Sequence, residues 1–153
     1  MNIYKDLFKI DKTRVIKRFT EIEKRLNRLR KLLKEKSEVD FLVDEDVADL
    51  AAHNLQIITQ ACLDIADHLI SVFGLELPKE DKKEVFPILG KNKIISQSLA
   101  PKLRDMAGMR NILVHEYTEV EREKVYKTIK TDLGDIEEFV SQIQKFMDKL
   151  VKN

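Results

Sequence analysis

Four stretches of this chain repeat apolar residues at steps of three and four, over lengths that suit α-helices, and this constrains the fold more than any other feature. From about Asp11 to Lys36 the stripe is Ile16, Phe19, Ile22, Leu26, Leu29 and Leu33, with charged residues filling the gaps. From about Asp46 to Phe73 it is Val47, Ala51, Ile58, Cys62, Ile65, Leu69 and Val72, and Gly74 supplies a stop. A third helix opens near Ser98, tolerates Pro101 in its first turn and turns Leu99, Leu103, Met106 and Leu113 to the core. Gly108 is read as permitting a close backbone approach. The last helix carries Val125, Ile129, Leu133, Ile136, Val140, Ile143, Met147 and Leu150 to the C-terminus.

The joins are less regular. Residues 37–43 lack the period and read as a connection. Residues 75–92 hold Pro78, Pro87 and Gly90 around a short possible helix, Asp81 to Phe86, and read as a loop crossing between helix pairs. Thr118-Glu119-Val120-Glu121 matches the S/T-x-x-E capping box, which starts a fresh helix at Glu119. Four such stripes are buried simply by an all-α, antiparallel four-helix bundle with a short extra helix or loop between helices 2 and 3. Residues 1–153 are expected to form one domain. Between Leu55 and Ala66 the second helix is apolar on several sides, which points to more than one neighbour and to a homodimer.

Composition narrows the function. Charged residues make up 36% of the chain, while Gly (4) and Pro (3) are scarce, as long amphipathic helices require. Lys plus Arg (28) nearly balances Asp plus Glu (27), so a polyanion must be held by a local patch and not by a global field. The single Cys62 excludes an internal disulfide, and His53, His68 and His115 show no zinc-ligand spacing. The charged N-terminus and the absence of a membrane-length apolar run give a cytoplasmic expectation, with no membrane, cofactor or metal.

Chemistry concentrates in Arg110-Asn111-Ile112-Leu113-Val114-His115-Glu116-Tyr117, at the end of the third helix and the junction before the fourth. On a regular helix, at about 100° per residue, Arg110 and His115 stand roughly 140° apart, whereas Arg110 and Tyr117 nearly eclipse. A break near His115 and the reach of Arg bring these groups together, and the free N–H groups at the start of the next helix favour a phosphate.

Arg110, His115 and Tyr117 spell R-x4-H-x-Y, and on them the chain resembles the HepT-like ribonuclease toxins of the HEPN superfamily. The likeness continues through residues 54–56 and 61–70 of the second helix and Met106-Ala107-Gly108-Met109, covering about residues 45 to 147. The resemblance implies metal-independent RNA cleavage by a dimer whose two motifs face a shared cleft. It makes His115 the general base or acid, since the unperturbed pKa of histidine, about 6.5, suits proton transfer, and Arg110 the group that stabilises charge on the phosphorane-like transition state. Asn111 orients His or phosphate, and Tyr117 positions RNA. It further implies an antitoxin partner, a minimal nucleotidyltransferase of the MntA kind, that adds AMP to Tyr117.

Blander readings stand beside these. A helix-ending His often only complements the helix dipole, Arg110 alone could be an ion-pair residue, and Tyr117 alone a packing residue. His53 and His68 read as structural or dimer-interface groups, and Asp64 and Asp67 as hydrogen-bonding or interface groups and not metal ligands. Glu116 reads as facing solvent. The basic run from Lys24 to Lys31 reads as a solvated face, diluted by Glu21, Glu23 and Glu35, and not as an RNA track. Two alternatives remain open: a non-catalytic HEPN module that binds a nucleotide or partner beside a nucleotidyltransferase, and a structural helical adaptor.

Overall fold

The computed structural model describes residues 9–114 and 118–152, and every regular element among them is helical. Helix α1, Lys12–Glu35, begins where the Asp11 carboxylate accepts from Arg14 N at 3.0 Å. Its buried face is Val15, Ile22, Leu26, Leu29 and Leu32, slightly rotated from the expected stripe: Ile16 is 55% exposed and Phe19 and Leu33 are only partly covered. Of the basic run, Lys24, Arg28 and Lys31 are exposed, while Arg25 bonds Glu21 and Asn54 and Arg30 pairs with Glu137 at the edges of the packed face.

Residues 37–43, expected as a connection, contain a second helix, α2, Glu38–Val43. Ser37 Oγ accepts from Asp40 N while Asp40 Oδ2 accepts from Ser37 N, a capping box with Asp in the third position. Its one buried side chain, Phe41, packs on Tyr126 with ring centroids 4.9 Å apart. Helix α3, Glu45–Val72, follows at once, capped by Asp44.

Helix α3 is the axis of the core. It runs antiparallel to α1, since Asp11 meets His68, Arg18 meets Asp64 and Arg25 meets Asn54. Its apolar excess, including Leu55, Ala61, Leu63 and Ala66, is buried by other elements of the same chain. That excess is therefore satisfied within one subunit and gives no argument for a second. The helix ends as expected at Gly74, at φ +64°, where Leu75 N bonds Ile70 O and Gly74 N bonds Ser71 O in a Schellman arrangement.

The expected crossing loop is more structured than its Pro and Gly content indicated. A 3-10 turn, Lys82–Glu84, feeds helix α4, Val85–Lys91, whose Val85, Phe86 and Leu89 are fully buried. Pro87 lies in the first turn of α4, where an N–H has no helical partner to lose. Gly90 is the position that needs glycine for a close approach: a Cβ there would lie 2.9 Å from Ala100 Cβ, whereas one at Gly108 would meet only Lys83 at 3.7 Å.

The third helix is segmented. Helix α5, Ala100–Gly108, accepts Pro101 in its first turn, and Met109 then breaks the ladder by bonding Met106 O before a separate turn, α6, Arg110–Leu113. This break before the motif comes in addition to the helix end at Leu113, just ahead of His115; at it, buried Met109 faces α7 with its sulfur 3.2 Å from Thr128 Oγ1. Helix α7, Glu119–Lys152, starts at the expected capping box, with Glu121 N bonding Thr118 Oγ1 and Thr118 N bonding Glu121 Oε1. It runs antiparallel to α5, as the pairs Met109–Thr128, Lys102–Asp135 and Ser96–Gln142 show.

Candidate active site

Arg110 opens α6 and Asn111 follows it; both are exposed and both line a cleft of about 390 Å³. Leu63 of α3 and Ala107, Gly108 and Val114 form further parts of its wall, and residues 80–83 complete it. Arg110 makes no ion pair with a described residue, although its neighbours Lys82 and Arg104 do. His115 and Tyr117, with Glu116 between them, lie outside the described residues. Val114 and Thr118 flank them, so they join the end of α6 to the capped start of α7.

Residues 80–83 overlap the short helix expected from Asp81 to Phe86, of which Lys82–Glu84 forms a 3-10 turn, and polar contacts accompany their placement. Asp81 Oδ1 accepts from Lys83 N at 3.0 Å and caps the 3-10 turn. Lys82 Nζ stands 3.9 Å from Asp67 of α3, and Glu84 receives Arg104 of α5 at 3.0 Å. The only local signal for this arrangement was Asp81 two residues before a lysine, the spacing of a side-chain cap. Lys83 also lines a neighbouring cleft of about 450 Å³ with Arg104, Lys124 and Thr128.

Asp67 belongs to the edge of the site. Its burial raises its carboxyl pKa; Lys82 opposes the rise, Asp64 adds to it, and Arg110 and Arg14 oppose it more weakly. Asp64 itself pairs with Arg18 at 3.1 Å and accepts from Gln60. Both acids thus face cations, and Asp64 is also a hydrogen-bonding group, as expected. His68 is structural: its Nε2 accepts the backbone N–H of Asp11 at 2.9 Å, tying the start of α1 to α3. His53 is exposed. Among the described residues no group of three or more His, Cys, Asp or Glu side chains comes together to hold a metal ion, and no helix is long and apolar enough to cross a membrane.

A free cation and an amide at a cleft mouth can grip a phosphate oxygen, with forked hydrogen bonds from the guanidinium. Proton transfer requires a further group, and the sequence supplies His115 five residues after Arg110.

Comparison with known proteins adds independent ground. Residues 22–143 match the profile of the family described as ribonuclease HepT-like. The chain is 31% identical over 130 residues to the mRNA nuclease HepT of Shewanella oneidensis, spanning 85% of this chain and 96% of that protein. It is 34% identical over 109 residues to the tRNA nuclease HepT of Aphanizomenon flos-aquae, spanning 71% and 73%. Among solved structures, a toxin–antitoxin complex with AMP-PNP superposes with TM-score 0.80 at 29% identity, covering 87% of this chain and 98% of that one. The tri-AMPylated Shewanella oneidensis HEPN toxin in complex with its MNT antitoxin superposes at 0.78 with 29% identity, covering 89% and 99%.

Proposed function

The chain belongs to the ribonuclease HepT-like family, and from that premise we propose that it is the endoribonuclease toxin of a toxin–antitoxin pair, cutting RNA without a metal at the Arg110 cleft. The observation that carries this reading is the position of Arg110: exposed, without an ion-pair partner among the described residues, and lining a cleft five residues before His115.

In this mechanism the ribose 2′-oxygen attacks the adjacent phosphorus. An imidazole takes the 2′-hydroxyl proton, the new P–O2′ bond forms, and the P–O5′ bond breaks as a second imidazole returns a proton to the leaving oxygen. The products are a 2′,3′-cyclic phosphate and a free 5′-hydroxyl. One His115 per chain makes two imidazoles a property of a homodimer with a shared cleft. Arg110 neutralises the developing phosphorane charge, and Asn111 orients the phosphate or the imidazole. Tyr117 positions RNA and is the acceptor of AMP from a minimal nucleotidyltransferase antitoxin of the MntA kind. An added adenylate brings bulk and negative charge to the cleft and repels RNA phosphate.

Cleavage of single-stranded RNA by the purified chain in EDTA tests the chemistry. Arg110→Ala is expected to lower the rate about 10²- to 10³-fold and His115→Ala about 10²- to 10⁴-fold. Undiminished cleavage by His115→Ala overturns the assignment, and RNA or nucleotide binding without turnover establishes the non-catalytic alternative. Intact mass after incubation with the antitoxin and ATP should show AMP additions that vanish in Tyr117→Phe. Light scattering should give a dimer, and a fully active monomer refutes the shared cleft.

A further inference from the structure

Resting on that reading of the Arg110 cleft, we propose that Lys83 is an RNA-positioning residue that holds a phosphate next to the one cut, leading the strand from Arg110 into the neighbouring cleft toward Lys124. The argument begins with how the 3-10 turn is fixed. Its first residue, Lys82, pairs with Asp67 of α3 and its last, Glu84, with Arg104 of α5, so each end is tied to a different helix. Asp81 caps the turn through the backbone of Lys83 and leaves the side chain of Lys83 unengaged. Lys83 thus makes no ion pair with a described residue, while the charged residue on either side of it in the turn does.

Position then gives that free ammonium its use. Lys83 lines both the 390 Å³ cleft that contains Arg110 and Asn111 and the 450 Å³ cleft that contains Lys124. Its stem lies beside Gly108, where a Cβ would stand 3.7 Å from Lys83 Cδ and 4.0 Å from Nζ. With no side chain on residue 108, the wall between the two clefts stays low at the point where Lys83 stands. The second cleft also carries Asp105 and Asp132, of which Asp132 accepts from Thr131, and neither they nor Lys124 make an ion pair with a described residue. A single strand gripped at Arg110 therefore meets its next free cation at Lys83.

A phosphate contact outside the reacting group strengthens binding of ground and transition state alike, so its loss raises KM and spares kcat. The full-length protein is assayed on a labelled, mixed-sequence single-stranded RNA, with cleavage followed from low to saturating RNA and binding followed by anisotropy across a salt series. Lys83→Met keeps the packed stem without the charge and should raise KM roughly fivefold with kcat little changed, the size of a modest charge-assisted contact. The log–log salt slope should flatten by about 0.7, one phosphate on a single strand. Lys83→Arg should restore both. Lys145→Met, which removes the same charge beside a different cleft, should alter neither.

If Lys83→Met matches Lys145→Met in KM and slope, or lowers kcat at unchanged KM, the positioning role is overturned. When cleavage still requires Arg110 and His115, that failure leaves the ribonuclease reading intact. If the wild type cuts no RNA, the ribonuclease reading falls, and the salt series on bound RNA decides Lys83 separately.

Discussion

Replacing Gly90 by Ala tests whether the contact between α4 and α5 is as tight as it stands. The new Cβ would lie 2.9 Å from Ala100 Cβ, against the 3.5–4.0 Å of a comfortable carbon contact, so one helix must move by roughly 0.6 Å or more. Overpacking of this kind costs about 1–3 kcal/mol, while exchanging Gly for Ala within a helix returns up to about 1 kcal/mol. Gly134→Ala separates the two effects, because Gly134 is helical and exposed and has nothing within 4 Å of its virtual Cβ. That variant should gain about 0.5–1 kcal/mol, so the two variants should differ by about 1–3 kcal/mol. Adding Ala100→Gly to Gly90→Ala removes the colliding methyl, and the cycle should show a favourable coupling of about 1–2 kcal/mol. Urea unfolding followed by circular dichroism, with unchanged m, measures all five stabilities, those of the wild type, Gly134→Ala, the two single variants of the cycle and their combination. Equal shifts for Gly90→Ala and Gly134→Ala, or an additive cycle, would refute the steric argument.

Thr118→Ala removes one half of the capping box that starts α7 and should cost about 1 kcal/mol in the same unfolding assay. Cys62 is fully buried and its thiol pKa is raised by that burial, so a thiol reagent should modify it only at the rate of unfolding; fast labelling of the native protein would contradict its placement. His68 has its pKa lowered, first by burial and then by Arg14, with Asp11 opposing. A depressed histidine contributes stability present above the unfolded value near 6.5 and lost as pH falls toward the folded value. Acid should therefore destabilise the wild type below about pH 6.5, and His68→Ala should flatten that slope. A raised carboxyl such as Asp67 acts in the opposite sense, contributing stability below its unfolded value that is lost as pH rises through its folded value, so it does not account for loss on acidification near neutrality.

What the sequence disclosed and what it withheld divide by the range of the interactions. The Schellman end at Gly74 and the box at Thr118 are decided by residues within a few positions of one another, and both were legible. The Ser37–Asp40 box is equally local and passed as a connection, because Asp stands where Glu is usual and a six-residue helix is too short to show a period. Pro87 was read as a loop marker although the first turn of a helix accommodates it, so α4 and its buried Phe86 were shortened. The break at Met109 comes where its side chain is buried against Thr128, one helix away, and no local pattern encodes it.

The candidate site divides in the same manner. Arg110, Asn111, His115 and Tyr117 sit within one octapeptide, and it is the resemblance of that pattern to a known family, not its spacing alone, that suggests a common chemistry. Lys83 reaches the Arg110 cleft on a turn whose flanking Lys82 and Glu84 pair with Asp67 and Arg104, on two other helices. In the sequence it is one lysine among many in a chain of nearly balanced charge. Among the described lysines what sets it apart is that it lines both the Arg110 cleft and the cleft beside it, a property of assembled helices and not of any window of residues. A motif search therefore finds the groups proposed to act on the phosphate, while the group proposed to steer a strand toward them emerges only once the ion pairs have been assigned.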